Sequence, residues 1–322
     1  MLRIGASMLI FIAAFNVLSV LYEIFDVLIF LIFEEPVSVI VSEILYALVY
    51  SAAFLIPAVF LARLCKDDGV PLIKGVGLSF TTPLYIIVGI ACSLVFAYIN
   101  ANLVSIFNYS DFSSELLWNE DYDAPYKIIL QLITTAVVPG IFEEVLFRGV
   151  MLAKLRPYGK TAAILISAVM FALMHQNAEQ FLYTLAAGIV LGFIAAETGS
   201  LLTCILVHFA NNAFSVFEQA LLSNGEGQNY ITFNFVVELI IIICGVMCAI
   251  GLMVMYYRRR KNDFSDGVFQ KELTLCTENG KKLSAASAVR LFFSPTVIIF
   301  IALSALNAVT MIFGSILFSL LT

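Results

Sequence analysis

The chain has 322 residues, 61% of them hydrophobic and 12% charged, with a mean hydropathy of +1.00 and a formal charge of −6. A water-soluble domain of this length has too little interior to hide that much apolar surface, so the composition excludes one and points to a polytopic membrane protein. The six cysteines (Cys65, Cys92, Cys204, Cys244, Cys248 and Cys276) form no C-x-x-C pair and fall mostly in apolar runs. They read as small packing residues rather than a disulfide frame or a thiolate metal site.

A bilayer core of ~30 Å takes about 20 apolar residues of helix. Runs of that kind occur at 5–33, 40–62, 77–100, 127–153, 161–176, 180–197, 200–222, 233–257 and 291–321. The first is too long for a cleaved signal peptide and lacks an A-x-A ending, so it is predicted to be a retained span. The fifth is short, which predicts a helix buried among neighbours. The expectation is an all-α transmembrane bundle of eight or nine spans. It divides into N-terminal helices at 1–124, a central core at 125–222, and C-terminal helices at 223–322 with a basic loop at 258–290. The stretch 101–126 sets Trp118, Tyr109, Tyr122 and Tyr126 among acids, as an interfacial segment on the outer surface would.

Alternating the spans sorts the charges. One set of loops holds Arg3; Arg63, Lys66 and Lys74; Lys154, Arg156 and Lys160; and the basic run from Arg258 to Arg290. The other holds Glu34, Glu35, Asp111, Glu115, Glu120, Asp121, Asp123 and Glu226. The positive-inside rule then places the N-terminus in the cytosol and, with nine spans, the C-terminus outside; the plasma (inner) membrane is the expected location. Membrane lipid is the expected surrounding partner. Nothing suggests nucleic acid, and nothing in the sequence speaks to oligomeric state.

The polar groups inside the spans carry the chemistry. In "VPGIFEEVLFRGV", residues 138–150, two glutamates and an arginine interrupt an apolar run. Each costs at least ~2.5–3.5 kcal/mol at such a depth on insertion scales. Pro139-Gly140 is predicted to break or kink the fourth span. Glu143 and Glu144 then fall in the first turn of a resumed helix, where free N–H groups favour carboxylates. Glu144 and Arg148, four apart with the acid first, form an ion pair. Glu143 points ~100° away and is left without a local partner. The only two histidines both lie in spans: His175 follows Phe171 by one turn, and His208 precedes Asn212 by one turn. At ~1.5 Å per residue, Glu143, His175 and His208 all sit roughly 12–21 Å from the basic side, where three helices can bring them to one water. Each residue also has a plain structural reading. The Glu144–Arg148 pair can simply stiffen a helix, Phe171 can be core, and Asn212 can be glue between helices. Glu23, Asp26, Glu43, Glu218 and Glu238 lie nearer span ends, where water reaches them.

A serine-type membrane hydrolase needs G-x-S-G, an aspartyl type G-x-G-D and a zincin H-E-x-x-H, and none is present. Water activated by carboxylate and imidazole remains, with or without a metal. "EEVLFR", "FALMH" and "HFANN" match E-E-x-x-x-R, F-x-x-x-H and H-x-x-x-N, in that order and in successive membrane helices. In this the chain resembles the CAAX prenyl endopeptidase and bacteriocin-processing family (CPBP, or Abi, family) of intramembrane proteases, over roughly residues 125–220.

The resemblance implies an intramembrane endopeptidase with a mid-membrane cavity open to the cytosolic side. Glu143 would be the general base and His175 would hold or polarise the water. His208 and Asn212 would stabilise the oxyanion, while Glu144, Arg148 and Phe171 support them. It implies a peptide, or the C-terminus of a lipidated protein, as substrate. No cofactor is required; a zinc ion on Glu143, His175 and His208 stays open beside a metal-free mechanism. A proton- or ion-coupled transporter, and a non-catalytic scaffold or immunity protein of the same fold, are the alternative readings.

Overall fold

The structure, a computed structural model, describes residues 1–33, 37–69, 71–73, 75–76, 81–106, 124–224, 228–263 and 292–321. Among them are nine helical spans and no strand. They are α1 (Leu2–Phe33), α2 (Val39–Asp67), α3 (Thr82–Ile106), α4 (Pro125–Tyr158), α5 (Lys160–Met174), α6 (Ala178–Thr198), α7 (Leu201–Asn224), α8 (Gln228–Asp263) and α9 (Pro295–Leu321). Seven are long and apolar enough to cross a bilayer. α5, with 15 residues, is the short buried helix that its sequence predicted. The predicted interfacial residues Tyr109, Trp118 and Tyr122, and the basic loop from 264 onward, lie outside the described residues.

The helices carry apolar residues all round because both of their surroundings are apolar. Toward neighbours, α4 buries Leu146, Phe147, Met151, Leu152 and Leu155 completely. Away from them, Phe25, Leu31 and Ile32 of α1 and Met247 and Met253 of α8 stand exposed, a surface stable only against lipid. Helices keep their backbone hydrogen bonds internal, as hydrocarbon demands.

One end of the bundle gathers the basic residues. Arg3 pairs with Asp68 at 3.1 Å, Lys154 meets the same carboxylate, and Lys160 pairs with Glu197. Two residues between α2 and α3 dock here: the Ile73 N–H donates to the Gly149 carbonyl at 3.1 Å, and Gly75 bridges Ser200. A Cβ on Gly75 would lie 2.3 Å from the Gly199 carbonyl oxygen, so only glycine fits there.

The predicted break at Pro139 does not occur. α4 runs through it as α-helix from Pro125 to Gln131, π-helix from Leu132 to Val137, α-helix from Val138 to Glu144, π-helix from Val145 to Met151, and α-helix again from Leu152 to Leu155. A wider π-turn absorbs the proline ring without interrupting the axis. Glu143 and Glu144 therefore stand at the end of a short α segment inside a continuous helix. They face no free first-turn N–H groups, so apart from Arg148 four residues on, their partners come from other helices.

Candidate active site

Glu144 is the hub of a buried ionic group. Its Oε1 accepts from Arg148 Nη1 at 2.7 Å and faces His208 Nδ1 of α7 at 2.8 Å. Glu144 and Arg148 are 0% and 1% exposed. Arg148 has more than one support: Nη2 donates to the Gly188 carbonyl of α6 at 3.4 Å, and its guanidinium carbon lies 4.4 Å from the Phe171 ring centroid. A planar guanidinium can hold carboxylate, carbonyl and ring face at once, which an ammonium group cannot. Phe171 in turn meets His175 edge-on at 4.9 Å and His208 at 6.1 Å between centroids. The F-x-x-x-H spacing thus sets His175 against the ring, and α7 brings His208 to it.

His175 is the first residue after α5, and the following Gln176 adopts φ 53°, which turns the chain. His175 Nδ1 lies 2.8 Å from the Phe171 carbonyl. A carbonyl can only accept, so the proton is on Nδ1, and in the neutral ring Nε2 presents its lone pair. The carboxylate of Glu144 fixes His208 in the same way, with Nδ1 protonated.

Glu143 has the partner that its own helix does not supply. The Tyr50 hydroxyl of α2 donates to Glu143 Oε1. Oε2 is buried without a hydrogen-bond partner and faces His208 Nε2 at 4.0 Å. Sequence reading missed Tyr50; it sits about midway along α2, and the depth comparison that grouped Glu143 with the histidines would have found it. Asn212 takes a place the plain reading had left open. Its Nδ2 donates to the Thr135 carbonyl at 2.9 Å, the group four residues before Pro139, which has no N–H to offer. Close approach of the two helices allows this: a Cβ on Gly140 would lie 3.3 Å from the Phe209 backbone nitrogen. Asn211 donates to the Tyr183 hydroxyl at 2.6 Å and to Asn212 Oδ1 at 3.2 Å.

Glu143, Tyr50, Phe171, His175, His208 and Asn212 line one cavity of about 600 Å³, while Glu144 and Arg148 stand behind its wall. The shortness of α5 opens it: 15 residues reach only ~22 Å of a ~30 Å core, so the helix stops at His175. From Glu143 the cavity runs toward the end of the bundle away from the basic residues, where Gln131, Gln180, Ser215 and Gln219 line it. In the other direction Phe54, Phe171 and Leu191 close it over the packed Leu146, Phe147 and Met151. The expectations of a basic cytosolic end and a cytosol-facing cavity therefore do not hold together, because packed core fills the basic half.

The set Glu143, His175 and His208 fits a zinc ion poorly. Tetrahedral ligands at ~2.0–2.2 Å from zinc stand ~3.3 Å apart, and the separation of Glu143 Oε2 and His208 Nε2 is 4.0 Å. Among the described residues no three His, Cys, Asp or Glu side chains are grouped to hold a metal.

Known proteins resemble the chain over the segment that carries α4 to α7. Residues 125–214 match the family described as type II CAAX prenyl endopeptidase, Rce1-like. The chain is 32% identical over 100 residues to the "Putative membrane peptidase YdiL" of Bacillus subtilis (strain 168), a match spanning 30% of this chain and 40% of that protein. No solved structure matches. Residues 125–214 of this integral membrane chain are thus similar to CAAX prenyl endopeptidases, and the match to the curated relative spans less than half of that protein's length.

Proposed function

We propose that the chain is an intramembrane endopeptidase that hydrolyses a peptide bond with a water activated by Glu143. The observation that carries this reading is Glu143 Oε2, buried without a partner in the cavity wall and 4.0 Å from His208 Nε2. That gap is too long for a direct hydrogen bond, yet one water at ~2.8 Å can touch both atoms. A carboxylate held by one oxygen and free at the other is ready to accept a proton.

Glu143 Oε2 takes the proton of a water that also donates to the lone pair of His175 Nε2. The hydroxide adds to the scissile carbonyl carbon, and its oxygen becomes the oxyanion. Two groups face that charge. Asn212 spends one amide N–H on Thr135 and has a second to offer. His208 donates from Nε2 in its imidazolium form, with Glu144 at the opposite nitrogen. Two carboxylates and one guanidinium surround His208, so a proton there balances the formal charge of the buried group. Donors fixed before the reaction stabilise the developing charge most effectively where water is excluded. The C–N bond then breaks, and Glu143 returns its proton to the leaving amine.

Purified wild type and Glu143→Gln, assayed with a reporter peptide with and without a chelator, test the reading. Cleavage by wild type that is abolished in Glu143→Gln is expected. A Glu143→Gln protein that cleaves at the wild-type rate refutes it.

A further inference from the structure

We infer that the cavity takes its substrate from the exported face of the membrane, so that the substrate class is a translocated peptide segment rather than the C-terminus of a cytosolic protein. The inference rests on the endopeptidase reading for what happens to the substrate, but not for where the substrate comes from.

Two independent observations carry it. The first is charge. Among the described residues, Arg3, Arg63, Lys66, Lys154, Arg156 and Lys160 lie at or near one end of the bundle, while Arg148 is buried in the wall and Lys127 stands at the start of α4. So one-sided a distribution fixes orientation, because short basic connections are retained in the cytosol. The end bearing Arg3, Asp68, Lys154, Lys160 and Glu197 is therefore cytosolic.

The second observation is where the space lies. Its inner part reaches Glu143, His208 and Leu191 near the middle of the bundle, and its outer reach is lined from the parts of α2, α4, α6 and α7 remote from that end, by Tyr46, Gln131, Gln180 and Gln219. Its floor is the ionic group beneath Glu143. Below that, Phe147, Met151 and Leu155 are fully buried, and Gly75 bridges Ser200 at the base. A peptide approaching from the basic side meets packed core. One approaching from the other side meets the gap left where α5 stops at His175. The two facts agree only if the site is served from outside.

Single-cysteine labelling in intact cells tests this. The native cysteines are replaced, and one cysteine is introduced either at the mouth, Gln180→Cys, or at the exposed basic end, Arg156→Cys. Thermal unfolding of each purified variant confirms that it keeps the fold. A membrane-impermeant maleimide is expected to label Gln180→Cys in intact cells and Arg156→Cys only after permeabilisation. The reverse pattern overturns the inference. So does equal labelling of both in intact cells, which would mean mixed orientation, or a Gln180→Cys that stays unlabelled even after permeabilisation, which would mean a closed mouth. None of these outcomes depends on catalysis. Cleavage retained in Glu143→Gln would defeat the endopeptidase reading and leave the labelling result standing.

Discussion

Tyr50→Phe removes one oxygen atom and isolates the role of the Glu143 contact. The ring is held independently of its hydroxyl, 4.8 Å from Phe54 and 5.9 Å from Tyr46 between centroids, so the truncated side chain keeps its place. What is lost is a hydrogen bond to a carboxylate that is 2% exposed and has no other hydrogen-bond donor. Hydrogen bonds to charged groups contribute about 1.5–3 kcal/mol, and 1.4 kcal/mol is a factor of ten, so a loss of roughly ten- to a hundredfold in kcat/KM is expected. The loss should fall on kcat, because the hydroxyl orients the base without touching the substrate. The assay is steady-state cleavage of a reporter peptide by purified protein, with Glu143→Gln as the floor and thermal unfolding as the control for fold. A Tyr50→Phe enzyme with unchanged kcat, or one that loses activity only through KM, refutes the positioning role and the assignment of Glu143 as the base it serves.

Arg148→Met should lower stability by about 3–5 kcal/mol, since it strands the Glu144 carboxylate beneath the cavity; unfolding in detergent measures it. Arg148→Lys should recover only part of that, because an ammonium cannot also stack on Phe171 and reach Gly188. Asn212→Leu leaves the Thr135 carbonyl unpaired and should cost about 1–3 kcal/mol. In a Pro139→Ala background, where an N–H returns to the ladder, the same change should cost less, and a double-mutant cycle reads the difference. Cleavage should survive a strong chelator, because the Glu143–His208 separation is wider than a zinc ligand pair; loss restored by added zinc would reverse that conclusion.

The sequence by itself determined the membrane class, the nine helical runs, the short fifth helix and the residues that meet in the cavity. These follow from properties that travel along the chain: apolar length set against bilayer thickness, and helical spacing that puts Glu144 by Arg148, Phe171 by His175, and His208 by Asn212. Partners from distant helices could not be read that way. Tyr50 reaching Glu143, His208 sharing an oxygen with Arg148, and Asn212 serving Thr135 depend on how α2, α4 and α7 rotate about their axes, which side-chain packing sets. The proline misled because local rules give its cost but not the π-turn and the neighbouring amide that meet it. The direction of the cavity was likewise decided only in three dimensions. Charge along the chain distinguishes the two ends of the bundle, but only the packed floor beneath Glu143 and the early stop of α5 decide which end is open.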